Sequence, residues 1–123
     1  MDALEIIYVE DDEQEAFIMR VGMRRQGINV IHVATITPET VTSLREPPYH
    51  KAAAVIFDAI LAGQNGVELA RLLRASGDDR PIFLLTAGEN PDPEVLQRHN
   101  IRYLRKPPRF ESLARTIQEL AGP

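Results

Sequence analysis

Four places in the chain carry side chains suited to phosphate and metal chemistry: Glu10-Asp11-Asp12, Asp58, Thr86 and Lys106. Carboxylates crowded within a few ångströms repel, so one must take up a proton unless a cation neutralises them. A hard, oxygen-preferring ion such as Mg²⁺ does this with one or two carboxylates and water, which leaves positions open for phosphate oxygens. Lys106 offers a positive charge, and Thr86 a hydroxyl able to bond a phosphoryl oxygen. Asp58 is then placed as a nucleophile that forms an aspartyl phosphate, with metal and lysine offsetting charge on the transferring group. Taken singly, each residue has an ordinary structural role. An acidic turn usually caps a helix, an Asp after a strand is usually a turn residue, and a Lys before Pro is usually solvated. Tyr103 would be a half-buried edge aromatic. Their joint occurrence is what points to chemistry.

All four places lie at or near the ends of apolar runs, and those runs dictate where they meet. Leu4 to Val9 reads as a strand ending at the acidic triplet, and Ala52 to Phe57 as a central strand, covered on both faces, ending at Asp58. Ile82 to Leu85 ends at Thr86-Ala87-Gly88, and Ile101 to Leu104 ends near Lys106-Pro107-Pro108. Asn29 to Val33 is a more polar, edge-type strand. Amphipathic segments lie between these runs, so five strand–helix units around a parallel sheet are expected. The carboxyl ends of such strands share one edge, where ligands bind.

The intervening helices have their own signals. Asp12 caps the first, Glu13 and Glu15 suit its dipole, and Gly27 stops it. Phe17, Ile18 and Val21 share one face of it, away from Arg20, Arg24 and Arg25. Thr37-Pro38-Glu39 predicts a short second helix closed by Pro47-Pro48. A turn at Gly63 to Gly66 leads to a helix with Leu69, Leu72 and Leu73 on one side. Asn90-Pro91-Asp92-Pro93 delays and shortens the fourth helix, and Phe110, Leu113, Ile117 and Leu120 give the last its period.

Composition narrows the classes further. A length of 123 residues suits one domain over 1–123. With 44% apolar and 26% charged residues the profile is that of an ordinary globular protein. There is no cysteine, which removes disulfides, thiol catalysis and cysteine-ligated metals. No apolar run approaches a membrane span and the start is unlike a signal peptide, so a cytoplasmic protein is expected. The net charge of −4 gives no reason to bind nucleic acid. Among the basic residues only Lys51 and Lys106 are lysines, which singles out the one at a strand end.

At this point the chain resembles the receiver domain of bacterial response regulators. The resemblance rests on Ile6-Ile7-Tyr8-Val9-Glu10-Asp11-Asp12, Val55-Ile56-Phe57-Asp58 with Gly63 and Gly66, Pro81-Ile82-Phe83-Leu84-Leu85-Thr86-Ala87, and Tyr103-Leu104-Arg105-Lys106-Pro107. It implies a flavodoxin-like α/β fold, a three-layer (βα)5 arrangement whose five-stranded parallel sheet has order 2-1-3-4-5. It implies Asp58 as phosphoacceptor, and Mg²⁺ held by Asp11 and Asp58, by Glu10 largely through water, and by the backbone carbonyl of Ile60. Lys106, aimed by a cis Lys106-Pro107 bond, would contact the phosphoryl group. Thr86 would shift toward it and Tyr103 would change rotamer, while the small Ala87 keeps the site accessible. The implied partners are a sensor histidine kinase or a phosphotransfer protein, a downstream protein target, and a second copy through the fourth helix–fifth strand–fifth helix face. A stand-alone domain is expected, catalysing only its own phosphotransfer and autodephosphorylation.

The chain departs from the family pattern in three ways. Ala62 stands where proline is frequent, Pro108 replaces a common aromatic, and the Thr86-to-Tyr103 segment is short and carries Pro91 and Pro93. The alternative is a receiver-like interaction module that is never phosphorylated. An Asp-nucleophile phosphatase fits poorly because Ile60 occupies the place of its second acid. A flavin carrier fits poorly because Glu10-Asp11-Asp12 would repel the flavin's phosphate. None of His32, His50 and His99 is expected to donate phosphate; surface or edge placement accounts for them.

Overall fold

The computed structural model describes residues 3–61, 64–88 and 91–122 of the chain. Ala62, Gly63 and Asn90, on which parts of the sequence reading fall, lie outside the described residues. Five parallel strands build the sheet: β1 (Leu4–Val9), β2 (Ile28–Val33), β3 (Ala54–Asp58), β6 (Ile82–Thr86) and β7 (Ile101–Arg105). Between β3 and β6 lies a two-stranded antiparallel ribbon of β4 (Ile60–Leu61) and β5 (Gln64–Asn65). The sheet order is β2-β1-β3-β6-β7, which is 2-1-3-4-5 when its own strands are counted along the chain. The fold class expected from the sequence is therefore found, with the polar strand β2 at an edge.

Alternation along the strands divides the interior in two, because successive side chains point to opposite faces. Ile7, Val9, Val55, Phe57, Ile82, Leu84 and Ile101 face one side with α2 (Gly66–Ala75), α3 (Pro93–Arg98) and the segment around Val41 and Leu44. Ile6, Tyr8, Ala54, Ile56, Phe83 and Leu85 face the other with α1 (Glu13–Arg24) and α4 (Phe110–Ala121). Each buried aliphatic side chain contributes about 1.5–3 kcal/mol relative to exposure. The central strand β3 is buried at all five positions, Asp58 included.

Two local expectations are corrected. On α1, the face marked by Phe17 and Ile18 is not the one that packs on the sheet: these residues are exposed, while Ala16, Met19 and Met23 are buried. Both stripes are apolar at helical spacing, and the flexible methionines fill the space over Tyr8 and Ile6 that a stiff Phe ring would not. In the second unit, Thr37-Pro38-Glu39 does not open an α-helix. Val41–Arg45 form a 3₁₀ helix, and the Thr40 hydroxyl accepts the Thr37 N–H at 2.9 Å. Residues 41–43 (Val-Thr-Ser) are poor helix formers, and Pro47-Pro48 leaves room for little more than one turn. The short α3 is as the sequence suggested, with Asp92 as cap and Pro93 in the first turn. No helix among the described residues is long and apolar enough to cross a membrane.

Candidate functional site

The chain turns out of β1 at Glu10, and the local backbone holds this acid inward instead of releasing it to solvent. Glu10 N–H donates to Val33 O at 3.1 Å, and His32 Nε2 lies 2.6 Å from the Glu10 carbonyl oxygen. Since a carbonyl only accepts, the His32 proton sits on Nε2. Glu10 as a whole is 1% exposed. Its Oε2 accepts the Tyr8 hydroxyl at 3.2 Å and its Oε1 accepts the Asp12 N–H at 3.0 Å. Asp12 Oδ1 in turn accepts the N–H groups of Gln14 and Glu15, which starts α1 beside the sheet edge.

Asp58 ends the central strand, 4% exposed. Its Oδ1 accepts the Ile60 N–H at 3.0 Å and its Oδ2 accepts Lys106 Nζ at 2.6 Å. The backbone beneath it is fixed by Ala59 N–H to Leu85 O and by Gly66 N–H to Ala59 O. A Cβ on Gly66 would overlap the Asp58 carbonyl oxygen, so α2 approaches the Asp58 loop this closely only because the residue is glycine. Just after β7, Lys106 N–H bonds Thr86 O at 2.7 Å, and the Lys106-Pro107 peptide is cis, as the resemblance implied.

Lys106 Nζ is shared. Besides Asp58 it donates to Glu15 Oε1 at 2.8 Å, and Glu10 Oε2 lies at 3.9 Å. Carboxylate oxygens of Glu10, Glu15 and Asp58 all lie within 4.8 Å of one another, a group able to hold a metal ion. The electrostatic consequence is plain. Burial, then the adjoining Asp58 carboxyl and the Glu15 charge, push the Glu10 carboxyl up from 4.5 to about 8, although the Asp12 N–H works in the opposite direction. Burial and the same three acids raise the Tyr8 hydroxyl far above its ordinary range. Burial pulls the Lys106 ammonium down, but its bonds to Asp58 and Glu15 outweigh that and hold it above the usual lysine value. The site is thus short of positive charge. Its donors are all oxygen, which suits a hard divalent cation better than a soft one.

The remaining sequence candidates fall as follows. Thr86 is 3% exposed, and its Oγ1 has no hydrogen-bond partner among the described residues. Tyr103 is half-buried against the face of α2 and α3, paired in register with Leu84, two residues before Thr86. Ile60 turns its side chain to solvent while its N–H holds Asp58. Asp11 is exposed and is not in the oxygen group, whose third member is Glu15. Sequence reasoning assigned Glu15 only to the helix dipole. The signal that could have found it is Asp12-Glu13-Gln14-Glu15, a capping-box spacing in which the fourth residue reaches back toward the cap. Here it reaches Lys106 instead.

With this geometry in hand, comparison with known proteins is informative. The family model described as response regulator receiver domain matches residues 6–118. Response regulator MprA of Mycobacterium leprae is 29% identical over 119 residues, 95% of this chain and 50% of that protein. Two-component response regulator PhoP of Pseudomonas aeruginosa is 32% identical over 120 residues, covering 95% and 51%. The chain thus spans about half the length of these curated relatives. Among solved structures, the signal receiver domain of a modulated diguanylate cyclase from Desulfovibrio desulfuricans is 30% identical with a TM-score of 0.75, over 98% of this chain and 94% of that one. A response regulator receiver domain protein from Clostridium thermocellum, 17% identical with a TM-score of 0.78 over 96% and 94%, shares the fold.

Proposed function

The chain belongs to the response regulator receiver family, and on that premise we propose that it accepts a phosphoryl group on Asp58 in a Mg²⁺-dependent reaction and passes the signal on through protein–protein contacts. One observation carries this: Asp58 ends the buried central strand with one oxygen on Lys106 and the other on the Ile60 N–H, inside a ring of acids.

In the transfer, an Asp58 carboxylate oxygen forms the new P–O bond. The P–N bond of a phosphohistidine breaks, and its electron pair leaves on the imidazole nitrogen, which takes up a proton. Lys106, already 2.6 Å from Asp58, moves with the arriving charge and bonds a phosphoryl oxygen. The Thr86 hydroxyl lacks a partner among the described residues and is ready to donate to another phosphoryl oxygen. Asp58, Asp11, Glu10 and the Ile60 carbonyl would hold Mg²⁺, with Glu15 close enough to add its charge. When bound, the cation offsets negative charge shared between Asp58 and the transferring group. Movement of Thr86 and a rotamer change at Tyr103 would then turn local charge into a change of surface.

The phosphate source in this proposal is a sensor histidine kinase or a phosphotransfer protein, and the output is a protein target. A second copy would meet the chain through the α3–β7–α4 face. Beyond its own phosphotransfer and autodephosphorylation the domain turns over no substrate; residues 1–123 make one receiver domain, and its place of action in this reading is the cytoplasm. The test is incubation with Mg²⁺ and acetyl phosphate followed by intact mass. One added phosphoryl group in the wild type, lost in Asp58→Asn, is expected. No adduct, or an equal adduct in the variant, would overturn the assignment.

A further inference from the structure

Lys106 is the cation that must follow the phosphoryl group, yet it is not held by Asp58 alone. Two of its three N–H donors are used, at 2.6 Å to Asp58 and 2.8 Å to Glu15. Glu15 is not needed to cap α1, because Asp12 already accepts the N–H groups of Gln14 and Glu15. The Glu15 side chain is 39% exposed and comes from α1, so it could lie in water at little cost, but it turns onto Lys106. We propose that Glu15 is a positioning residue acting through Lys106, a charge brake that slows phosphoacceptance by Asp58 and weakens the hold on the phosphoryl group once it arrives.

The charge count gives the direction. Converting the Asp58 carboxylate into an acyl phosphate replaces one negative charge by two. With Glu10, Asp11, Glu15 and Asp58 ionised, Lys106 and a divalent cation bring the local sum to minus one before transfer and to minus two after it. Without the Glu15 charge the sum is zero before and minus one after. Whatever cation is bound, Glu15 therefore favours the unphosphorylated side by one unit of charge, at an oxygen-to-oxygen range of at most 4.8 Å from Asp58. At a high effective dielectric near the surface and a separation of ~6 Å from the new phosphoryl oxygens, one unit of charge changes the rate and the occupancy by about 3- to 10-fold. This rests on the assignment of Asp58 as phosphoacceptor and adds to it a residue that sets how readily the site loads.

The experiment compares the full chain with Glu15→Gln, Glu15→Ala and Asp58→Asn. Each is given saturating Mg²⁺ and either acetyl phosphate, a dianion, or phosphoramidate, a monoanion, at low and high salt, with intact mass read against time. Both Glu15 variants should load from acetyl phosphate about 3- to 10-fold faster than wild type, with a smaller gain from phosphoramidate and a gain that shrinks at high salt. Beryllofluoride, a non-reacting phosphoryl analogue titrated by backbone amide shifts, should bind both variants more tightly. A Gln variant that loads no faster than wild type, or an Ala variant that slows while Gln keeps the wild-type rate, overturns the brake and leaves Asp58 as acceptor. Wild type that takes no phosphoryl group, or takes it equally in Asp58→Asn, overturns the underlying assignment and the brake with it.

Discussion

Glu10→Gln isolates the cost of crowding acids at the sheet edge. The residue is 1% exposed and its carboxyl is held up at about 8, first by burial and then by Asp58 and Glu15. A raised acid is stabilising while protonated, so the sign follows directly. In metal-free buffer the stability is full below the ordinary carboxyl value near 4.5, falls as pH rises, and levels off above 8. A rise from 4.5 to about 8 at about 1.4 kcal/mol per unit bounds the loss at roughly 5 kcal/mol. Relaxation and the shared titration with Asp58 bring the expected figure to about 2–4 kcal/mol. Glutamine keeps the shape and an acceptor for Tyr8 or Asp12 but cannot ionise. Urea unfolding in EDTA from pH 5 to pH 9 should show the variant matching wild type at the acid end and exceeding it by that amount at the basic end. Mg²⁺ should narrow the gap by stabilising wild type, since binding to the folded state adds by mass action. Parallel pH profiles, or a variant less stable than wild type at pH 9, would refute the account of Glu10.

Three further outcomes follow from the geometry. Gly66→Ala places a Cβ against the Asp58 carbonyl oxygen, so the Asp58–Ala59 backbone must shift; a stability loss of about 1–3 kcal/mol by urea and slower loading from acetyl phosphate are expected. Thr86→Val removes a buried hydroxyl with no partner among the described residues, so stability should hold or rise by about 1 kcal/mol, while the beryllofluoride-induced shift of the Tyr103 ring resonances should vanish. Arg80→Ala strips a buried carboxylate, Asp78, of its partner and frees the carbonyls of Leu44, Tyr49 and Ala52, at about 3–5 kcal/mol by urea unfolding near neutral pH. Burial tends to raise the Asp78 carboxyl, but Arg80 holds it below the ordinary value, so this contribution is full above the ordinary value and is lost as pH falls below it through the lower folded-state value.

What was legible in the sequence is what depends on backbone periodicity. Apolar runs fix the strands, parallel order puts their carboxyl ends on one edge, and so Glu10, Asp58, Thr86 and Lys106 had to converge. What was not legible depends on side-chain choice between equals. Glu13 and Glu15 are alike as first-turn acids, and only the distance across to Lys106, 91 residues away, separates them. Phe17-Ile18 and Met19-Met23 are both apolar stripes on α1, and the choice between them is made by how each fits over Ile6 and Tyr8. His32 looked like an edge residue, and it is one, but its bond to the Glu10 carbonyl needs the β1–β2 register to be known. The 3₁₀ segment failed as a helix because a threonine–proline start signal competes with a β-branched run, and sequence gives no weight to either.

The two ends of the sheet solve opposite problems. At the amino-terminal end, Arg80 binds Asp78 and three carbonyls, and Arg74 donates to the carbonyls of Asp78, Arg80, His99 and Asn100. There the buried charges are met by fitted partners, which is the arrangement expected where structure alone is at stake. At the carboxyl end three acids crowd one ammonium, one carboxyl is forced toward its protonated form, and a buried hydroxyl has no partner among the described residues. A fold selected only for stability would remove each of these with a single substitution, as Glu10→Gln and Thr86→Val are expected to show. Their concentration at one edge, with the rivets at the other, marks where stability is given up so that an arriving anion and cation find unsatisfied groups to bind.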